Sequence, residues 1–221
     1  MYEQILNDKN YLTMMEKISN IRFITDGKWD WEHSLGHAER VSHYIKKLLV
    51  SIHCSPHIIE LGMIAGLLHD IGLTSGQKSG HAEKSAILAN EFLKNYPIGI
   101  NDREIIVQAI KDHSNGNNIQ TVIGAALLLA DKLDISYYRV INSTIQDNIN
   151  EEFLKVKRVD IEINSQDIWI YYKTEKTFDI SILKAWPKAL SIPIKVAKYL
   201  NRNCNFKLNH ENLPIKSLLT N

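Results

Sequence analysis

The adjacent residues His69 and Asp70 are the feature that most constrains how this chain folds. They close the apolar segment Gly66-Leu67-Leu68 and are followed by Ile71-Gly72. An aspartate at the end of a buried stretch needs a compensating charge, and a divalent cation shared with a neutral imidazole would supply it. The pair therefore predicts that other ligands come from elsewhere in the chain and that the fold brings them together.

The composition is that of a globular protein with one main domain and a smaller appendage. The chain has 221 residues, of which 44% are hydrophobic and 23% charged. Its formal net charge of +1 gives no bulk attraction to nucleic acid or anionic lipid, so we expect neither as a partner. Cys54 and Cys204 lie too far apart for a disulfide framework or a thiolate zinc site, which favours a reducing, cytoplasmic location.

No targeting or membrane segment is expected. The start Met1-Tyr2-Glu3-Gln4 lacks the basic and apolar regions of a secretory signal. The longest apolar stretch, near residues 122–130, is far shorter than the about 20 residues that a spanning helix needs.

Helical periodicity and capping signals dominate roughly the first 140 residues. They predict helices near residues 3–20, 30–53, 56–70, 80–95, 102–113 and 119–139. Ser55-Pro56 is typical of a helix start and Gly72 of a helix end, which places His69 and Asp70 where a helix stops. Asn101 followed by Glu104 resembles a capping box and predicts a helix start near Asp102.

The pattern changes after about residue 150. Alternating residues up to Ile163, the turn Ser165-Gln166-Asp167 and the run Ile168–Tyr172 predict a β-hairpin. A helix near 181–201, disturbed at Pro187 and Pro193, and a short strand near 205–208 follow. We therefore predict a mainly α protein with a helical metal-binding domain at residues 1–150 and a small α+β subdomain at 151–221.

The aromatic residues of the hairpin leave two interpretations open. Trp169, Tyr171 and Tyr172 could form the surface of a homodimer, or they could cover the protein core. Packing against the core is the default expectation, and the homodimer is the alternative.

Side chains of ligand type lie on other predicted helices. His37 lies in Gly36-His37-Ala38-Glu39-Arg40-Val41, and Asp131 ends the apolar run 125–130, where a lone carboxylate would be costly. Helical bundles build metal sites from side chains that project inward from several helices. His33, four residues before His37, is the obvious competitor, but the H-x-x-R-V context favours His37.

The order H…HD…D, with H-x-x-R-V around His37 and H-D-I-G around His69, resembles the HD superfamily of metal-dependent phosphohydrolases. The resemblance extends over roughly residues 30–140. It implies an all-helical HD-type bundle in which His37, His69, Asp70 and Asp131 bind a first metal ion.

Two more histidines have counterparts in branches of that superfamily. In branches with two metal ions, His81 and His113 would bind the second ion while Asp70 bridges the two. In branches with one ion, the histidine that corresponds to His81 contacts the substrate instead. We favour two ions. Nitrogen and oxygen ligands without thiolate suit one or two divalent ions of iron, manganese, cobalt, nickel or zinc.

The resemblance also implies a reaction. It is hydrolysis of a phosphate ester or anhydride, in a nucleotide-like or other small phosphorylated substrate, by metal-bound hydroxide. Asp70 would be catalytic as the bridging ligand, and nearby cations should meet the phosphate. Arg139 is one candidate, because it lies eight positions after Asp131, close to the same helical face.

One departure from the superfamily concerns the substrate more than the metal. Many HD enzymes carry Lys or Arg directly after H-D-x-G, whereas Leu73-Thr74-Ser75 follow Gly72 here. Lys78, in the same loop, can substitute for that cation. Two alternatives remain open: a mixed-valent di-iron oxygenase, which uses the same ligand types, and a non-catalytic nucleotide-binding sensor.

Overall fold

A computed structural model describes residues 1–25, 28–29, 31–114, 119–140 and 148–214. The chain forms two compact units, Met1–Asp131 and Lys132–Asn221. The domain boundary that the sequence places at residue 150 remains a prediction.

The first unit consists mainly of helices. They are α1 (Tyr2–Leu6), α2 (Lys9–Ser19), α3 (Leu35–Ser51), α4 (Pro56–Leu68), α5 (His81–Leu93), α6 (Ile100–Asp112) and most of α7 (Val122–Leu133). A 3-10 helix, Ile71–Ser75, follows α4, and strands β1 (Ile24–Thr25) and β2 (Lys28–Trp29) pair in antiparallel fashion before α3.

The N-terminal segment forms two helices, so the prediction of one helix near 3–20 is wrong. Asp8 causes the break, because its backbone is extended (φ −72°, ψ 129°). Its carboxylate accepts hydrogen bonds from the backbone N–H groups of Asn10 at 2.8 Å and Tyr11 at 3.0 Å. Asp8 is thus the N-cap of a new helix, α2.

Helix α6 also begins earlier than predicted. Its N-cap is Gly99, whose backbone is extended (φ −63°, ψ 154°), and the helix starts at Ile100. Asn101 is therefore inside the first turn, and the capping box predicted for Asn101 and Glu104 is wrong.

Close packing of α3 against α4 depends on Gly66. A Cβ atom at Gly66 would lie 2.7 Å from Ser42 Oγ and 2.9 Å from Ser42 Cα, which is closer than a side chain tolerates. The Ser42 hydroxyl, on α3, also donates to the Met63 carbonyl of α4 at 2.9 Å. The missing side chain lets the two helix backbones approach each other just before His69.

The second unit combines helices with a small sheet. After the end of α7 and a 3-10 helix at Tyr137–Arg139 come α8 (Asn148–Leu154), β3 (Val156–Ile163), β4 (Asp167–Thr174), α9 (Ile182–Ala185), α10 (Lys188–Tyr199), β5 (Asn203–Leu208) and β6 (Glu211–Asn212). The strand order is β3-β4-β5-β6, with β3 and β4 forming an antiparallel hairpin and β4 parallel to β5. The predicted fold class, mainly α with a small α+β part that contains a hairpin, is confirmed.

The two prolines of the C-terminal helical region act differently. Pro187 separates α9 from α10, whereas α10 continues through Pro193. A proline inside a helix leaves the carbonyl four residues earlier without its usual N–H donor. That carbonyl belongs to Ala189, and the hydroxyl of the fully buried Tyr172, on β4, donates to it at 2.9 Å.

The hairpin aromatics divide between the two faces of the sheet. Tyr172 packs in the core, while Trp169 and Tyr171 lie half-buried on the opposite face with their ring centroids 6.3 Å apart. The Lys207 amine lies 4.9 Å from the Trp169 ring centroid, within the range of a cation–π interaction. The homodimer remains a prediction.

Among the described residues, one segment has the length and composition of a membrane span. It is Pro56–Ser75, and 67% of its most apolar window is buried inside the protein. Burial of this kind is typical of the core helix of a globular unit.

Candidate metal centre

Five helices of the first unit bring side chains of ligand type to one place. His37 lies in the first turn of α3, His81 is the first residue of α5, and Asp131 lies near the end of α7. His69 and His113 directly follow α4 and α6 as their C-caps, and Asp70 follows His69. The structure therefore gathers all six residues that the sequence proposes as ligands.

The first group of ligand atoms surrounds one oxygen of Asp70. His37 Nε2 lies 3.2 Å from His69 Nε2 and 3.4 Å from Asp131 Oδ1. Asp70 Oδ2 lies 3.3 Å from His69 Nε2 and 3.7 Å from His37 Nε2. Metal–ligand bonds of about 2.0–2.2 Å separate neighbouring ligand atoms by roughly 3.0–3.5 Å, so this spacing fits one ion.

A second group of ligand atoms lies on the other oxygen of Asp70. His81 Nε2 and His113 Nε2 are 3.1 Å apart, and they lie 3.4 Å and 3.7 Å from Asp70 Oδ1. Oδ1 of Asp70 thus faces His81 and His113, whereas Oδ2 faces His37 and His69 and is also contacted by His33. This is the placement that a bridging carboxylate requires.

The main chain fixes the orientation of three of these rings. The Nδ1 atoms of His69, His81 and His113 lie 2.8 Å, 2.9 Å and 2.6 Å from the carbonyl oxygens of Gly66, Lys78 and Ile110. A carbonyl only accepts, so each Nδ1 carries the hydrogen and a neutral ring turns the lone pair of Nε2 inward. Two rings with this tautomer have no hydrogen to share between the Nε2 atoms of His81 and His113, which are 3.1 Å apart, whereas a cation would satisfy both. The residues present therefore fit a divalent metal ion.

The ionisation of Asp70 and His81 also favours the binding of a divalent ion. Burial alone would raise the pKa of Asp70, but neighbouring His69 and His33 hold that pKa well below its usual value, so the buried side chain is ionised. Burial lowers the pKa of His81 to about 4, which keeps its ring neutral at physiological pH.

His69 behaves differently from His81. Burial opposes its protonation, but Asp70, Asp131 and the Gly66 carbonyl outweigh burial and raise its pKa. A bound ion and a proton would therefore compete for Nε2 of His69.

His33 is the residue at this centre whose role sequence reasoning missed. The sequence predicts a helix near 30–53 that contains both His33 and His37, but α3 begins only at Leu35, so His33 precedes the helix. His33 Nδ1 lies 2.6 Å from Asp70 Oδ2, and the Lys78 amine lies 2.9 Å from His33 Nε2. Because an ammonium only donates, His33 Nε2 accepts and Nδ1 donates to Asp70. The four-residue spacing to His37 is the signal that the sequence offers, and that spacing is also typical of a helix face.

The two predicted cations lie in different surroundings. Lys78 contacts this centre twice, through its side chain to His33 and through its carbonyl to His81. The helical geometry that favoured Arg139 is wrong, because α7 ends at Leu133 and the backbone of Ser136 is extended (ψ 170°). Arg139 is buried in the second unit, where its guanidinium lies 3.5 Å from Asp134 Oδ2. Its catalytic role remains a prediction.

The turn after Asp70 is held against helix α5. The Gly72 N–H donates to the Ser85 hydroxyl at 2.9 Å, and both residues are buried. A Cβ atom at Gly72 would lie 2.5 Å from the His81 carbonyl oxygen and 2.5 Å from the Ser85 nitrogen. Gly72 therefore lets the start of α5, with His81, reach Asp70.

Comparison with known proteins finds a domain family whose model matches this part of the chain. Residues 31–136 match the HD domain. Among solved structures, the chain is similar to a predicted HD superfamily hydrolase from an uncultured Thermotogales bacterium, with 24% identity and a TM-score of 0.46 over 61% of this chain and 68% of that chain. A search of curated proteins finds no match.

Proposed function

Because the chain carries an HD domain, the domain of metal-dependent hydrolases, we propose that it is a phosphohydrolase. Its substrate would be a phosphate ester or anhydride of a nucleotide-like or other small phosphorylated molecule. The observation that carries the proposal is the convergence of four imidazole Nε2 atoms on Asp70 and Asp131, with three of the rings fixed by main-chain carbonyls.

The donor set supports two divalent ions. His37, His69 and Asp131 with Asp70 Oδ2 would hold one ion, and His81 and His113 with Asp70 Oδ1 would hold the other. Nitrogen and oxygen donors suit iron, manganese, cobalt, nickel or zinc. A bound divalent ion supplies Lewis acidity, which lowers the pKa of water towards about 7 and neutralises phosphate charge.

The protein's own groups would orient the substrate and balance its charge. We propose that Lys78 binds the phosphate of the substrate. Its ammonium contacts His33, which in turn contacts Asp70, the carboxylate shared by both groups of ligands. His33 would hold Asp70 in place by donating to Oδ2. Lys78 thus takes the role of the cation that is missing directly after Gly72.

The proposal is tested by metal analysis of the purified protein, together with a phosphate-release screen over nucleotides and phosphomonoesters. We expect about two transition-metal equivalents and metal-dependent phosphate release. His69→Ala should lose the first ion, and His81→Ala should lose about one equivalent. His57→Ala is the matched control, because this exposed histidine pairs with Asp102 outside the centre.

Four results would contradict the phosphohydrolase. A metal-reconstituted protein without transition metal, or His69→Ala with unchanged metal content, would remove its basis. Oxygen consumption by the iron form without phosphate release would indicate the oxygenase. Tight nucleotide binding without product would indicate the sensor.

A further inference from the structure

We propose that helix α2 is part of the metal centre, with Tyr11 as a positioning residue whose hydroxyl holds the end of α4 in the place that His69 and Asp70 require. Tyr11 lies outside residues 31–136, the segment matched to the HD domain. The inference rests on the proposed metal site and adds to it a helix that the family match does not include.

The hydrogen bonds at the end of α4 carry the inference. The helix ends at Leu68, so its last carbonyls have no donor within the helix. The Tyr11 hydroxyl donates to the Leu67 carbonyl at 3.0 Å, and His69 Nδ1 donates to the neighbouring Gly66 carbonyl at 2.8 Å. Two consecutive carbonyls therefore accept hydrogen bonds: the Leu67 carbonyl from α2, and the Gly66 carbonyl from the ligand His69. A shift of Leu67 would move the peptide units that carry both His69 and Asp70.

The burial of Tyr11 stabilises its hydrogen bond to the Leu67 carbonyl. Its side chain is fully buried, and burial raises the pKa of its hydroxyl, which therefore stays a neutral donor. A buried carbonyl that loses its donor is costly, so the bond resists opening.

Helix α2 has a further contact at its N-cap, Asp8. Asp8 Oδ1 accepts from the Tyr11 N–H at 3.0 Å, and Asp8 Oδ2 accepts from the Tyr96 hydroxyl at 2.9 Å. Tyr96 follows α5, the helix that begins with His81. Through these bonds, α2 connects the segment after α5 to the end of α4, so it restrains the helices that carry ligands of both groups.

The expected effect follows from the position of the bond. Loss of a group that hydrogen-bonds directly to a metal ligand typically weakens metal binding by about 10–100-fold. Tyr11 contacts the main chain before the ligands and not a ligand side chain, so we expect its loss to weaken metal binding about tenfold. Because Asp70 serves both groups of ligands, binding of both ions should weaken.

The test compares Tyr11→Phe with Tyr172→Phe. Both hydroxyls are fully buried and donate to a helical carbonyl, at 3.0 Å and 2.9 Å, but Tyr172 lies in the second unit. Both variants should lose similar thermal stability. In titrations with Co²⁺, Tyr11→Phe alone should raise the dissociation constants about tenfold and alter the visible absorption of the bound ion.

Equal Co²⁺ affinity in wild type and Tyr11→Phe, or equal weakening in both variants, would overturn the role of Tyr11. If Tyr11→Phe does not fold, Tyr96→Phe provides the second test, because it removes the donor to Asp8 Oδ2 from a half-buried position. It should weaken Co²⁺ binding about twofold, and an unchanged affinity would overturn the role of α2. A wild-type protein that binds no Co²⁺ would instead overturn the proposed function.

Discussion

At the scale of residues, the orientation of the imidazole rings defines this centre more than their number does. His69, His81 and His113 each direct Nδ1 to the carbonyl three residues earlier in the chain. For His69 and His113, that carbonyl belongs to the last turn of a helix and lacks the N–H donor that a longer helix would supply. The Ile110 carbonyl also accepts from the backbone N–H of His113, at 3.4 Å. The ring bond therefore helps to satisfy the helix end and fixes the tautomer of the ligand.

Removal of the Lys78 side chain should separate catalysis from metal binding. We expect Lys78→Met to lower kcat/KM for phosphate release about a hundredfold, because a charged donor to the phosphate is lost. The metal content should stay that of wild type, because the Lys78 carbonyl still orients His81. Metal analysis and steady-state kinetics measure the two effects.

The matched control is Lys94→Met, which removes an exposed lysine that pairs with Glu91 on the surface. Unchanged activity in Lys78→Met, or a loss of metal from it, would contradict the role given to the side chain.

At the scale of elements, the approach of α5 to the 3-10 helix after α4 decides whether both groups of ligands share Asp70. We expect Gly72→Ala to push these elements apart, because the added Cβ would meet backbone atoms of His81 and Ser85. The stability should fall by about 1–3 kcal/mol, and the metal equivalent held by His81 should be lost.

Denaturant unfolding and metal analysis test this prediction. Gly99→Ala is the control, because the nearest atom to its Cβ would be Asp102 Oδ2, at 3.9 Å. Full metal content in Gly72→Ala would show that the close approach does not matter for the centre.

The N-cap of α2 should make the stability of the protein depend on pH. Hydrogen bonds from the backbone of Tyr11, the Tyr96 hydroxyl and the backbone of Asn10 lower the pKa of Asp8. The charged form of Asp8 is therefore favoured in the folded state. Its stabilising contribution is fully present above the pKa of the unfolded state, about 4, and is lost as the pH falls through the lower pKa of the folded state.

Asp8→Asn isolates this effect, because asparagine caps a helix without titrating. The free energy of unfolding of the wild type should exceed that of the variant by about 0.5 kcal/mol at pH 6, and the difference should shrink towards pH 3. Urea unfolding at both pH values measures it. A difference that does not depend on pH would contradict the prediction.

At the scale of the whole molecule, the centre lies within the first unit, so metal binding should stabilise that unit. At a metal concentration of about 100 times the dissociation constant, binding contributes about 2.7 kcal/mol. Removal of the metal with a chelator should lower Tm by about 5 °C or more. Amide hydrogen exchange should accelerate in α4 and the turn after it, while the β3–β4 hairpin keeps its protection.

The control for this experiment is the same chelator saturated with Ca²⁺. Equal exchange in both units with and without transition metal would contradict the placement of the metal in the first unit.

The sequence by itself determined the fold class, the similarity of residues 31–136 to the HD domain and the residues offered as ligands. Helix periodicity, capping residues and the H…HD…D order act over a few positions, and a single chain displays them directly. The same local signals failed where two of them competed, as at Asp8, where an N-cap divides a segment that looked like one helix.

Only the tertiary structure decided how those residues work together. His33 reaches Asp70 across 37 positions, Lys78 reaches His33 across 45, and Tyr11 reaches the end of α4 across 56. No periodic pattern connects residues at such separations, because their contact depends on how closely the helices pack. The close approach at Gly66 and Gly72 supplies that packing, and the bonds it permits orient the side chains that the sequence could only name.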